Sequence, residues 1–255
     1  MFSAIGNLFS SAESIENQKQ NEYLMKLKKR LQEDIGKKFY PDEFIQKLKD
    51  THSCISGSYI LQTIHDEKWE GSDIDIFTND VKGNGQAMFD FLQNRLGNSK
   101  LIKKEYNEIS QMPVMQGNRK LDLTIKSQEG YNKYDFVICK VYDFFVDQQK
   151  IQLIIMETKY YEHMDKVSPF DLDFCKVFFD GEKFTINEAA LKKEGVVCTG
   201  RVPSIKTYDR IMKYEKRGFK TTNKTHVYEK LLGAYSYCFK THGKIVNITM
   251  KNFKI

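Results

Sequence analysis

Two aspartates stand one residue apart in SDIDIF, residues 72 to 77, and a Gly-Ser pair, Gly57-Ser58, lies a short helix upstream. Alternating residues of a strand point to the same face, so Asp73 and Asp75 sit side by side, roughly 7 Å apart along the chain. Like charges that close repel, and either solvent or a cation must screen them. Hard divalent ions take carboxylate oxygens, and Mg²⁺ commonly shares one or two carboxylates with substrate phosphates. The Gly-Ser turn offers backbone N–H groups and a hydroxyl to phosphate oxygens, and the helix start that follows adds a favourable dipole. A phosphate cradle facing a metal-binding pair is the equipment of phosphoryl or nucleotidyl transfer with two metal ions.

The elements that must position these groups follow from periodicity. Leu24, Leu27, Leu31 and Ile35 recur at helical spacing within 21–50, and Pro41 opens a second helix with Phe44, Ile45 and Leu48 on its apolar stripe. HSCIS reads as a short buried strand ending at Gly57, YILQTIHDEKW as a helix, and SDIDIF as a strand with Ile74 and Ile76 toward the core. Residues 85–97 carry Met88, Phe91, Leu92 and Leu96 at helical spacing, so Gly83-Asn84-Gly85 is a helix-entry loop rather than a phosphate loop. KLDLTIK, around Asp122, is a further strand candidate. FVICKVYDFFV and KIQLIIM, joined by Asp147-Gln148-Gln149, form a hairpin pattern. FDLDFCKVFF and EKFTI form another about Asp180-Gly181. Alternating helices and strands predict an α+β fold: a small mixed sheet flanked by helices. The expected division is an N-terminal helical extension (1–50), a core (51–185) and a helical, basic C-terminal region (186–255).

In this order on strand, helix and strand, Ile-Ser-Gly-Ser and Ser-Asp-Ile-Asp-Ile-Phe resemble the signature of the DNA polymerase β-like nucleotidyltransferase superfamily. The resemblance is tight over residues 54–77 and loose over 51–180. It implies that Gly57 and Ser58 contact nucleotide phosphates, that Asp73 and Asp75 hold Mg²⁺ (or Mn²⁺), and that an NTP donates a nucleotidyl group to an acceptor such as RNA. The interval from Ser58 to Asp73 is longer than the pattern, which predicts an extended turn about Trp69-Glu70-Gly71.

One departure bears on catalysis. Active members carry a third carboxylate on a later strand, and the matching position in KIQLII is Gln152. A glutamine is neither a base nor a good Mg²⁺ ligand. Asp173 and Asp171, in FDLDF, are the substitute candidates on an expected strand face, ahead of Asp122. Failing them, the chain is a nucleotide- or RNA-binding module without turnover.

TYDRIMKYEKRGFK places Arg210, Lys213 and Arg217 on one helical face, with Lys213 and Arg217 as candidate phosphate ligands and Tyr214 as a base-stacking candidate. A net charge of +6 suits a polyanionic partner. The five cysteines and five histidines are scattered, which excludes a zinc ribbon or a disulfide framework as readable patterns. With no run near the roughly 18 apolar residues of a membrane span and no basic, apolar leader, the sequence reads as an intracellular, cytoplasm-like protein whose Met1, Phe2, Ile5, Leu8 and Phe9 line one face of a short helix that docks on its own body. Two lesser readings are an interaction protein recruiting partners through its helices and a nuclease or phosphatase using Asp-x-Asp.

Overall fold

The computed structural model describes residues 2–36, 39–96, 100–105, 138–157, 161–198 and 205–230; the strand expected around Asp122 lies outside these residues. The elements run α1 (Phe2–Ile35), α2 (Pro41–Asp50), β1 (Cys54–Ser56), α3 (Ser58–His65), β2 (Ile74–Asn79), α4 (Asn84–Leu96), β3 (Lys100–Glu105), β4 (Ile138–Val146) and β5 (Gln149–Met156). Then follow α5 (His163–Val167), β6 (Phe178–Phe179), β7 (Phe184–Thr185), α6 (Glu188–Lys192), β8 (Glu194–Gly195), α7 (Ile205–Glu215) and β9 (Lys220–Thr221). The fold is α+β, as the sequence predicts.

Seven strands form one sheet in the order β3-β4-β5-β2-β1-β6-β7, and β8 pairs with β9 separately. Within the large sheet β2 and β5 are parallel, and every other neighbouring pair is antiparallel. A parallel pair needs a crossover rather than a hairpin. Here the chain leaves β2, forms α4 and the outer strands β3 and β4, and re-enters beside β2 as β5.

The two faces of the sheet differ in kind. On one, Ile74, Ile76, Ile151 and Leu153 are buried, and Phe89 of α4 packs its ring 4.4 Å from Tyr142 and 5.8 Å from Phe144. Leu27 and Leu31 of α1 and Phe44 and Leu48 of α2 are buried in the same continuous core. On the other face the strand ends beyond Asp75 turn apolar, and Phe77 meets Phe170 at 5.4 Å. That leaves a polar strip where β1, β2, β5 and β4 begin or end.

Two expectations change. The FDLDF segment is not a strand: a single bridge joins Leu172 to Val197, and Asp173–Cys175 is a 3-10 turn. Asp171 and Asp173 therefore do not share a strand face. The hairpin about Asp180-Gly181 does form, but its strands shorten to two residues each. Its tip packs closely against α2. Gly181 has φ +96°, and a Cβ there would lie 2.8 Å from the Ile45 carbonyl oxygen and 2.9 Å from the Lys49 nitrogen of α2. Gly181→Ala is expected to cost about 2 kcal/mol, since the side chain strains the backbone conformation and pushes against helix backbone. Urea unfolding checks this as a lowered midpoint with an unchanged m-value.

Candidate functional site

Strand register builds the site. Asp75 pairs with Ser56 of β1 on one side and with Gln152 of β5 on the other, and Gln152 pairs with Asp143 of β4. Directly paired residues point to one face, so Ser56, Asp75, Gln152 and Asp143 form a row across four strands. Asp73 and Lys150, each two residues earlier on its own strand path, stand beside that row. The Lys150 ammonium lies 3.2 Å from Asp73 Oδ2 and 3.7 Å from Asp143 Oδ1. Gln152 donates its amide hydrogen to the same Asp143 Oδ1 at 2.6 Å.

Gly57 and Ser58 face this row. Gly57 precedes α3 at φ +74°, ψ −139°, a conformation open to glycine almost alone. A Cβ there would point at Asp75 Oδ2 from 3.9 Å, so the bare Cα leaves room above the carboxylate. The Ser58 hydroxyl hydrogen-bonds that of Ser72 at 2.8 Å. Gln62, one turn into α3, donates to the Ser72 hydroxyl at 2.7 Å and accepts from the Trp69 backbone N–H at 2.5 Å. These bonds fasten the expected turn around Trp69, with Gly71 at φ +63°, directly before Asp73.

The opposite wall comes from the C-terminal half. A cleft of about 490 Å³ is lined by Gly57, Ser58, Asp73 and Asp75 on one side and by Lys206, Arg210 and Lys213 of α7 on the other. Asp171 also lines it, but its carboxylate pairs with Arg210 at 3.1 Å. Asp173 does not line the cleft. It accepts hydrogen bonds from the backbone N–H groups of Phe174 and Val196 at 2.7 and 2.9 Å, a fastening role within the 171–197 segment. Arg217 lies past the end of α7, with its guanidinium 4.5 Å over the Trp69 ring, and lines an adjoining pocket together with Lys213. Arg210, Lys213 and Arg217 thus do not act as one face. Tyr214 is 5% exposed and packs edge-on against Trp69 and Phe174, which leaves no ring face for a base. Cys175 borders the cleft, but burial pushes its thiol up to about 12, so it supplies no thiolate nucleophile.

Electrostatics single out Asp75. Burial first and the neighbouring charge of Asp73 second push its carboxyl up, Lys150 and Lys213 oppose them, and the net result is about 7. Among the described residues no hydrogen bond or ion pair engages that carboxylate. Lys213 is itself lowered, by burial and by Arg217, while Asp73 and Asp75 pull it back up. For Lys150, burial lowers and the three aspartates raise, and the aspartates win, so it stays charged.

Three of these groups escaped the sequence reading. Asp143 and Lys150 were legible in principle. A two-residue turn at Asp147-Gln148 pairs Val146 with Gln149 and therefore Asp143 with Gln152, whereas a three-residue turn hides that pairing. Ser72 carried no local signal, because its role depends on Gln62 lying one helical turn inside α3.

No family model and no curated protein matches the chain. Among solved structures it is similar to a tRNA-processing enzyme (apo form I) at 12% identity over 77% of this chain and 46% of that one, TM-score 0.44. It is similar to a CCA-adding enzyme, apo form I, at 12% identity over 82% and 46%, TM-score 0.47. A third is the Thermotoga maritima CCA-adding enzyme complexed with tRNA, at 14% identity over 76% and 42%, TM-score 0.45. The chain spans less than half the length of each. Among the described residues no three His, Cys, Asp or Glu side chains form a metal cluster, and no helix is long and apolar enough to cross a membrane.

The raised Asp75 carboxyl has a consequence for stability. Between pH 4 and 7 the unfolded chain releases this proton and the folded chain keeps it, so folding weakens as pH rises through that window. Asp75→Asn removes the penalty. It is expected to stabilise the protein by about 1–3 kcal/mol at pH 8 and hardly at all at pH 4, as thermal melts of both chains at the two pH values would show.

Proposed function

We propose that the cleft binds a nucleoside triphosphate with a divalent cation and transfers its nucleotidyl group to an acceptor hydroxyl. The single observation that carries this reading is the unpartnered Asp75 carboxylate, backed by Asp73 and faced across a bare glycine Cα by the N-terminus of α3. Two adjacent acids forced together by register, one of them with its proton held to about pH 7, are what an arriving cation would relieve. The residues fit one such ion: Asp73 and Asp75 would hold Mg²⁺ or Mn²⁺, with triphosphate oxygens completing its shell. Bound there, the ion would draw charge from the α-phosphate and from the leaving pyrophosphate.

The chain's own groups do the rest. The N–H groups at Gly57 and Ser58 and the start of α3 receive phosphate oxygens. Lys213, reaching over from α7, adds a positive charge on the other side, while Arg217 is held on Trp69 and acts at one remove. An acceptor hydroxyl attacks the α-phosphorus, its proton passes to solvent or to a carboxylate, and pyrophosphate departs. We assign the part of a third carboxylate to neither Asp171 nor Asp173. The first pairs through Oδ1 with Arg210, its Oδ2 buried without a partner, and the second accepts from two backbone N–H groups. Net charge favours RNA as the first acceptor to try.

A second reading has its own observation. Gln152 stands in register with Asp75, at the position where catalysis calls for an acid, so a module that binds NTP and metal without turning over is the alternative.

Incubation with each labelled NTP, Mg²⁺ or Mn²⁺ and mixed RNA separates the two. Nucleotidyl transfer is expected to yield labelled product and pyrophosphate, and Asp73→Ala with Asp75→Ala to lower the rate at least ~10³-fold. Metal-dependent NTP binding with no pyrophosphate, and turnover appearing only on Gln152→Asp, would establish the binding module. No metal-dependent nucleotide binding at all would sink both.

A further inference from the structure

The two acids of the row, and Asp73 beside it, share their strip of sheet with a lysine. Lys150 reaches between Asp73 and Asp143, its ammonium 3.2 Å from one carboxylate and 3.7 Å from the other. Asp143 is 2% exposed, and the oxygen that faces Lys150 is also the one that Gln152 holds at 2.6 Å. Backbone register places the residues that make these contacts side by side. Asp143 pairs with Gln152 across β4 and β5, and Lys150 is two residues from Gln152 on the same strand face. A positive charge is therefore set by the sheet itself into the space flanked by Asp73, Gln152 and Asp143. The glutamine that replaces an acid beside Asp75 is not idle: it donates to the carboxylate that receives the lysine.

We propose that Lys150 is a tethered cation standing in for a second metal ion, with Asp143 and Gln152 as its positioning residues, so that the site takes up one divalent ion and not two. The inference rests on the nucleotide-and-cation reading above and deepens it. Charge and geometry make the two occupants exclusive. A second divalent ion touching Asp73 from the Gln152 side would meet the ammonium within a few ångströms, and it would find a neutral amide where it needs an acid. The ion held by Asp73 and Asp75 on the Gly57 side has no such conflict, because Lys150 approaches from β5. A lysine is also always present. It needs no uptake, and its charge cannot be chelated away.

Counting ions tests this apart from activity. The full chain is dialysed to equilibrium against Mn²⁺ with an equimolar mixture of the four α,β-methylene ribonucleoside triphosphates, and Mn²⁺ and nucleotide retained per chain are measured. The wild-type chain is expected to retain one Mn²⁺ per nucleotide, Lys150→Met two, and Lys150→Arg one. Two ions in the wild type would overturn the proposal whatever the variants do, as would one ion in Lys150→Met. If neither chain retains nucleotide, the functional reading falls. The proposal is then decided by Mn²⁺ alone, where Lys150→Met must hold one ion more than wild type. Lys150 lies second in β5 with a quarter of its side chain exposed, and Lys150→Gln serves as the second variant should the methionine variant melt early.

Discussion

Parallel pairing of β2 with β5 is the constraint on which the site depends. Among the described residues it is the one parallel pair in the seven-stranded sheet, and its register sets Asp75 against Gln152. A slip of one residue would turn Ile74 and Ile76, both fully buried, out toward the cleft and drive Asp73 and Asp75 into the apolar core. The hydrophobic face therefore locks the polar face. The carboxylates of the polar strip, Asp73, Asp75 and Asp143, sit on the far side of a sheet held in place by isoleucines, leucines and phenylalanines.

The second constraint is charge. Three carboxylates along one strip of sheet would repel if left unscreened, and burial would add to the penalty. The chain meets this in three different ways. Asp143 is neutralised by Lys150 and capped by Gln152, Asp73 shares the same lysine, and Asp75 carries its proton up to about pH 7. That last solution costs stability, and it is found at the residue nearest the bare glycine and the helix start. Sites built to receive a ligand commonly give up stability in this manner.

The C-terminal half supplies the other wall, and it is anchored through the turn before β2. Trp69 lies edge-on to Tyr214 and Phe219 and beneath Arg217, while Glu67 pairs with Lys193 just past α6. The residues that lengthen the interval between Ser58 and Asp73 thus form the seat on which α7 rests. Ile211 and Tyr214 bury its inner side, and Lys206, Arg210 and Lys213 are left facing the carboxylates. Residues 51–185 and the region beyond share one hydrophobic core across this seat.

What the sequence determined by itself was whatever is local. Periodicity placed α2, α3, α4, β2 and the β4–β5 hairpin. Gly57-Ser58 and the alternation of SDIDIF showed that a turn, a helix start and two acids would meet, because neighbours along the chain cannot be far apart in space. What only the tertiary structure decided was partnership across strands. FDLDF carries the same alternation as SDIDIF, yet Asp173 fastens a turn and Asp171 holds Arg210, since that segment finds no neighbouring strand to extend it beyond one bridge. Arg217 shares helical spacing with Lys213 but lies past the end of the helix at Glu215, with its guanidinium over the Trp69 ring in a cation–π contact. Gln152 reads in sequence as a missing acid. Only the pairing of β4, β5 and β2 shows that its amide serves Asp143, and that a lysine two residues away fills the space between, because strand register is set by burial on the opposite face and not by any residue of the site.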